Sequence, residues 1–304
     1  MMFKKKFLLA LALLFTMLLA ACGGNDEGSK SGDGESADGG NEGIGEQVDY
    51  KIIGIEPGAG IMQATETALE EYENLADWSL VESSSAAMAS ELQKAYDKKE
   101  PIIVTGWTPH WKFAKFDLKY LEDPKGVYGE AEVIQTLVRE GLQEEQPSAY
   151  TVLDQFFWTP DDMANVMVEI QEGADPAEAA AAWVEENSDK VAEWTNGAEE
   201  VDGEKIKLAY VAWDSEIAST NVVGKVLESI GYDVDLLQLD AGPMFAAVAE
   251  GDADGMVAAW LPGTHASYME EYGDKLVDLG PNLEGAAIGL VVPTYVEADS
   301  IEDL

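Results

Sequence analysis

Eight tryptophans occur in the 304 residues, and three of them share a local setting. Trp107 lies in Gly-Trp-Thr-Pro, Trp213 in Ala-Trp-Asp-Ser and Trp260 in Ala-Trp-Leu-Pro. Each follows a strand-like run and stands beside Gly, Pro or a turn-forming acid, a setting that holds a side chain at a cleft. Indole faces clustered there have two main uses. They stack on the apolar face of a sugar, or they surround a methylated ammonium through the ring quadrupole. A trimethylammonium donates no hydrogen bonds, so ring faces are its natural site, each contributing roughly 1–2 kcal/mol when desolvated. A sugar would also need planar amides and carboxylates near the rings. Here the neighbours are mostly Ala, Gly, Thr and Pro, which favours the cation. The other five, Trp78, Trp111, Trp158, Trp183 and Trp194, read as packing residues.

A ligand carrying a carboxylate as well as the ammonium needs local donors, because the chain has a net charge of −41. His265, one of two histidines, follows Trp260 in Trp-Leu-Pro-Gly-Thr-His, and an imidazole N–H can bond a carboxylate oxygen. The turn Gly58-Ala-Gly60-Ile61 is the second candidate, since backbone N–H groups at a helix N-terminus bind anions without a basic side chain. A surface histidine and an ordinary glycine turn are the plain alternatives, and position alone leaves them open.

The elements that carry these residues alternate between strand and helix, the pattern of an α/β fold. Strands are expected over 51–55, 101–105, 205–211 and 234–239, with helices over 61–72 and 218–230. Residues 160–195 read as wholly helical, with Asp161 as the cap. The chain also echoes itself. Pro101-Ile-Ile-Val-Thr-Gly-Trp107-Thr-Pro109 matches Asp254-Gly-Met-Val-Ala-Ala-Trp260-Leu-Pro262 in character, and helices begin near Ile61 and Ile217. Two such units suit a clamshell with the ligand between lobes, at strand C-termini.

Lys4, Lys5 and Lys6 precede an apolar run from Phe7 to Leu19, which is too short for an ordinary membrane span and fits a signal peptide over 1–21. It ends in Leu19-Ala20-Ala21-Cys22, holding the only cysteine. A lone cysteine makes no internal disulfide, and this pattern resembles a bacterial lipobox that would attach lipid at Cys22. A plain signal peptide with a bystander cysteine is the alternative. Residues 22–47 are Gly, Ser, Asp, Glu and Asn with almost nothing apolar, a composition that makes a flexible linker. The expected location is the outer face of the cell membrane, held by lipid.

Fifty-nine acidic residues against 18 basic ones exclude nucleic acid as a partner, because no basic stripe exists to meet phosphates. Two histidines, no catalytic cysteine and no zinc-type spacing leave little for catalysis, so no catalytic residue, metal or cofactor is expected. Asp214 and Ser215 invite a hydrolase reading, but neither has a histidine at a motif spacing.

Three motifs, Gly54-Ile-Glu-Pro-Gly-Ala-Gly60-Ile61, Tyr210-Val-Ala-Trp213-Asp-Ser-Glu-Ile-Ala-Ser-Thr220 and Ala258-Ala-Trp260-Leu-Pro-Gly-Thr-His265, resemble the glycine betaine-binding proteins of ABC transporters. The resemblance runs from about Tyr50 to the end. It implies a two-lobed type II periplasmic-binding-protein fold and capture of a quaternary-ammonium osmoprotectant by lobe closure for a membrane permease. It puts Trp107, Trp213 and Trp260 in a three-tryptophan box, with His265 and the amides of Gly60 and Ile61 on the carboxylate. In many relatives the half beginning near Lys205 comes first, so this chain resembles the circularly permuted branch. The lobes would then be 48–148 plus 288–304, and 149–287, with crossings near Pro147-Ser148 and between Ile288 and Pro293. Choline, carnitine, other betaines and sulfonium analogues are alternative ligands. An enzyme acting on methylated amines and an adhesion module are the alternative classes.

Overall fold

Short apolar runs punctuated by amphipathic helices fold into a mixed α/β architecture with nine strands among the described residues. The computed structural model describes residues 43–304. The proposed leader, Cys22 and most of the linker lie outside the described residues.

The strands are β1 Lys51–Ile53, β2 Ser79–Val81, β3 Val104–Thr108, β4 Leu118–Tyr120, β5 Glu132–Arg139, β6 Lys205–Tyr210, β7 Asp233–Gln238, β8 Gly255–Leu261 and β9 Leu276–Pro293. Their order is β2-β1-β3-β9-β5-β8-β6-β7, with β4 also on β9. The two ends of this order repeat one plan. β2, β1 and β3 are parallel, and β9 runs antiparallel beside β3. β7, β6 and β8 are likewise parallel, and β5 runs antiparallel beside β8. Parallel strands need crossover helices, and these supply the layers on the sheet faces. The echo between the two sequence halves is therefore an echo of topology, in the two-lobed type II arrangement.

One long strand joins the halves. The first part of β9 pairs with β5, from Leu276 opposite Arg139 to Ala286 opposite Glu132. Its second part pairs with β3, from Ala287 opposite Thr108 to Val291 opposite Val104. The change of partner falls between two adjacent residues, Ala286 and Ala287.

The helices that bear on the site are Gly60–Glu71 and Asp214–Ser229. The first buries Ile61, Met62, Thr65 and Ala68 along one stripe, the spacing of an amphipathic helix. The second is buried over most of its length, with Ser215, Glu216, Ser219, Thr220 and Asn221 among the covered residues. Such a helix has neighbours on nearly every side, and its polar residues must find partners inside the protein.

Several sequence expectations need adjustment. Trp107 and Trp260 do not follow their strands; each is the penultimate residue of its strand, β3 or β8. Both are followed, one residue on, by a cis X–Pro bond, Thr108–Pro109 and Leu261–Pro262. Residues 160–195 are three helices, Pro160–Gln171, Pro176–Glu186 and Ser188–Trp194. The cap of the first is Thr159, not Asp161: its hydroxyl accepts from the Asp162 N–H, while the Asp162 carboxylate accepts from the Thr159 N–H. Proline fits the first helical position because that turn needs no N–H, so the cap lies one residue before Pro160. Trp183 and Trp194 stack at 5.6 Å, with Trp158 edge-on to Trp183 at 5.7 Å. These three pack as the sequence suggested.

Candidate functional site

Four chain segments converge where the halves meet: the N-terminus of helix Gly60–Glu71, the end of β3, the start of helix Asp214–Ser229, and the end of β8 with its following loop. Ile55, Ala59, Gly60, Ile61, Trp107, Trp213, Trp260, Thr264 and Ile288 line a cavity of about 300 Å³ of empty volume, its mouth included. Its lining has no ionisable side chain. Five of the six residues singled out in the sequence are on this wall.

The three indoles are held by their edges. Trp107 Nε1–H donates to Ser215 Oγ at 3.2 Å, Trp213 Nε1–H to Glu56 Oε2 at 3.1 Å, and Trp260 Nε1–H to Glu216 Oε1 at 2.8 Å. A buried indole needs a partner for its one donor. With that need met by protein groups, the ring faces are left for apolar or cationic contact. Ser215 and Glu216 lie in the first turn of the helix that Trp213 precedes, so one helix start anchors two of the rings and carries the third at its cap. Burial pushes the Glu216 carboxyl up to about 8, against the bonds from Trp260 and Ser215, so it is mainly neutral at pH 7.

Donors for an anion lie on the first half. Among the described residues, no hydrogen bond uses the Gly60 or Ile61 N–H; the recorded first-turn bonds begin with Met62 and Gln63, both to Ala59 O. Helix Gly60–Glu71 has no side-chain cap, so these amides are available donors at the positive end of a 12-residue helix.

His265 is placed differently from the other five. It is fully buried and stacks on Trp213, with ring centroids 6.1 Å apart, instead of lining the cavity. Its Nδ1 accepts from the Trp260 backbone N–H at 3.0 Å, and Trp260 O accepts from the His265 N–H. An accepting Nδ1 puts the ring proton on Nε2. That Nε2 is buried without a protein partner among the described residues. Burial pulls the imidazole down to about 3, so it is a neutral donor and never an imidazolium near pH 7.

A second group of residues, centred on Asp214, has no binding role in the sequence reading. Asp214 accepts from Trp111 Nε1–H at 3.0 Å and from Ser85 Oγ at 3.0 Å, and its Oδ2 lies 3.3 Å from His110 Nε2. Burial would raise the Asp214 carboxyl, but these contacts outweigh it and hold it down at about 2. Trp111, read as a packing residue, is thus buried and also anchored at the site. The one available signal was the run Trp213-Asp-Ser-Glu at a helix start, three polar residues where an indole edge needs acceptors. The partners Glu56, Ser85 and His110 carry no such local mark, because their contacts reach across the sequence, over 129 residues for Ser85 and 157 for Glu56.

Glu132 ties the loop after β8 in place. It accepts from the Gly263 and Thr264 N–H groups at 2.7 Å each, and from the Thr264 hydroxyl.

Comparison with known proteins gives a consistent picture. A family model described as the substrate binding domain of an ABC-type glycine betaine transport system matches residues 37–186 and 204–304. A glycine betaine/carnitine transport binding protein of Listeria monocytogenes serotype 1/2a (strain 10403S) is 59% identical over 263 residues, 86% of this chain and 88% of that protein. Among solved structures, a lactococcal protein complexed with glycine betaine is 51% identical, with a TM-score of 0.48 over 50% of this chain and 59% of that one. A glycine betaine/L-proline-binding protein from Borrelia burgdorferi is 36% identical, with a TM-score of 0.48 over 51% of this chain and 59% of that one. With the family model matched over most of its length, the chain belongs to the substrate-binding domains of ABC-type glycine betaine transport systems.

Proposed function

We propose that the protein captures glycine betaine in the cavity between its halves and presents it to an ABC importer. The observation that carries this reading is three indoles, anchored by their N–H edges, on one cavity wall free of ionisable side chains. The trimethylammonium would sit among Trp107, Trp213 and Trp260. The carboxylate would take the Gly60 and Ile61 amides, which are unused in the structure, and the Nε2–H of His265, which is buried without a partner. Carnitine carries the same two groups, and the Listeria relative's name includes it, so it is the second ligand on this reading.

Capture works by closure. The two halves would be lobes joined at β9 and near residues 121–131, with β5 moving with the second lobe because it pairs with β8. On this reading the first crossing would fall earlier than Pro147-Ser148 and the second at Ala286–Ala287. Several bonds cross between the halves: Trp213 to Glu56, Ser85 and Trp111 to Asp214, and Tyr268 Oη–H to Gly58 O at 2.7 Å. The permuted order, with the half beginning near Lys205 coming first in unpermuted relatives, is part of the same reading. Anchoring through lipid on Cys22 remains part of the proposal and would keep the protein at the outer membrane face.

The test is intrinsic tryptophan fluorescence of the soluble body titrated with glycine betaine, carnitine, choline and maltose. Saturable change with betaine, lost in Trp260→Ala, is the expected result. A response to maltose and none to the amines would overturn the reading.

A further inference from the structure

Lys112 is the one fully buried lysine among the described residues, and nothing in the binding reading uses it. It opens the short helix Lys112–Lys115, just beyond β3 and its Trp107. Its Nζ is buried without a hydrogen-bond partner and stands over the Trp107 ring, 4.2 Å from the centroid. Lys112 does not line the cavity. Trp107 therefore meets an internal ammonium as well as the cavity.

An ammonium with no hydrogen bond is costly to bury, and the ring quadrupole is its principal compensation. The rest of its surroundings offer little. β3 presents Gly106, close to Lys112 Cε, and β9 presents Val291 beside that glycine. Its own loop presents His110, whose Nδ1 accepts from the Lys112 backbone N–H, and Phe113 lies 5.7 Å from Nζ. Helix Asp214–Ser229 contributes Asp214, already engaged by His110, Trp111 and Ser85. The neighbouring histidine brings no compensating charge, since burial and Lys112 hold it neutral, down to about 4.

We propose that Lys112 is an affinity-setting residue: its ammonium occupies the Trp107 π-system and opposes the ligand's cation, so removing that charge tightens binding of quaternary ammonium ligands. This rests on the cation-binding role proposed above. Two cations sharing one ring in a water-poor site repel each other with little screening. The ring can serve the ligand fully only when Lys112 is neutral. Burial brings the amine down to about 7, against the pull of Asp214, so its charge changes near neutral pH. Ligand binding should then release protons from Lys112, and affinity should rise with pH. Glu216, bonded to Trp260, titrates in the same range, and its ionisation would also favour a cation. The share due to Lys112 is therefore the part of the pH dependence that disappears when Lys112 is replaced.

The experiment is a binding titration of wild type, Lys112→Met and Lys112→Gln with glycine betaine and with choline, at about pH 6 and about pH 9, bracketing the titration of the amine. Expected is about three- to ten-fold tighter binding by both variants at the lower pH, for both ligands, shrinking towards none at the higher pH. Weaker betaine binding with choline unchanged would show that Lys112 serves the carboxylate, and would overturn the proposal. Equal affinity of all three proteins at both pH values would overturn it too. Should a variant fail to fold, betaine titrated calorimetrically near pH 7 in buffers of different ionisation enthalpy should release protons from the wild type and still do so from Glu216→Gln; zero release, or release lost with Glu216, sinks the idea. If the wild type binds no quaternary amine at all, the cation-binding role itself fails.

Discussion

At the residue scale the decisive groups are single donors and single charges. His265 offers one N–H, fixed on Nε2 because Nδ1 accepts from Trp260. His265→Ala should weaken glycine betaine by more than about 1 kcal/mol and hardly touch choline, which has no carboxylate. Equal losses for both ligands would place His265 as a support for Trp213 instead. The same residue sets an acid sensitivity. His265 falls from 6.5 to about 3 on folding and His110 from 6.5 to about 4, so each contributes stability present above 6.5 and lost as pH falls through its folded value. Glu216 rises from 4.5 to about 8, so its contribution is full below 4.5 and lost as pH rises. Between pH 4.5 and 6.5 two histidines act against one carboxyl, and these three groups together take up about one proton on unfolding. His265→Ala should remove that net uptake. Its stability should fall less steeply with acid across this window, by about 1.4 kcal/mol per pH unit, as read by chemical denaturation at several pH values.

At the element scale the site depends on how closely two backbones approach. A Cβ on Gly60 would stand 2.0 Å from Thr264 O, a distance no real side chain tolerates. Gly60 starts a helix on one half and Thr264 belongs to the loop after β8 on the other. Its φ is not the issue; what it supplies is missing bulk. Gly60→Ala should hold the halves apart and cost more than about tenfold in betaine affinity, with little change in thermal stability. Small-angle scattering of this variant should show no contraction on adding betaine, whereas the wild type contracts. A variant that binds and contracts like wild type would mean the loop yields freely. The Glu132 carboxylate argues against that, since three donors of the loop converge on it.

At the scale of the whole molecule the charge of −41 dominates. With 59 acids and 18 bases, most acidic groups can find no basic partner, and repulsion among them opposes the compact state. Salt screens that repulsion with a Debye length near 10 Å at 0.1 M and 3 Å at 1 M. Raising NaCl from about 0.05 M to about 1 M should therefore raise the melting temperature by several degrees. A melting temperature indifferent to salt would show that the acids are too widely spaced to interact. Such a surface suits a protein working in brine or at alkaline pH. No helix of the described residues is long and apolar enough to cross a membrane.

Much of the cavity wall was legible from the sequence because its signals are local. Trp107 and Trp260 sit in matching strand-Trp-x-Pro segments, and Gly60-Ile61 opens a helix; strand periodicity and helix-start chemistry act over a few residues, so spacing alone reveals them. The α/β class and the repeated halves follow from the same short-range patterns. Only the tertiary structure decided what stands behind the rings. Glu56, Ser215 and Glu216 hold the indole edges, Asp214 gathers Ser85, His110 and Trp111, and Lys112 lies over Trp107. Burial and distant partners define these roles, and neither is a property of neighbours in sequence. A lysine in Trp-Lys-Phe-Ala-Lys reads as a solvated charge until β3, β9 and the helix at Asp214 close over it, because whether a charge meets water depends on chain segments far away in sequence.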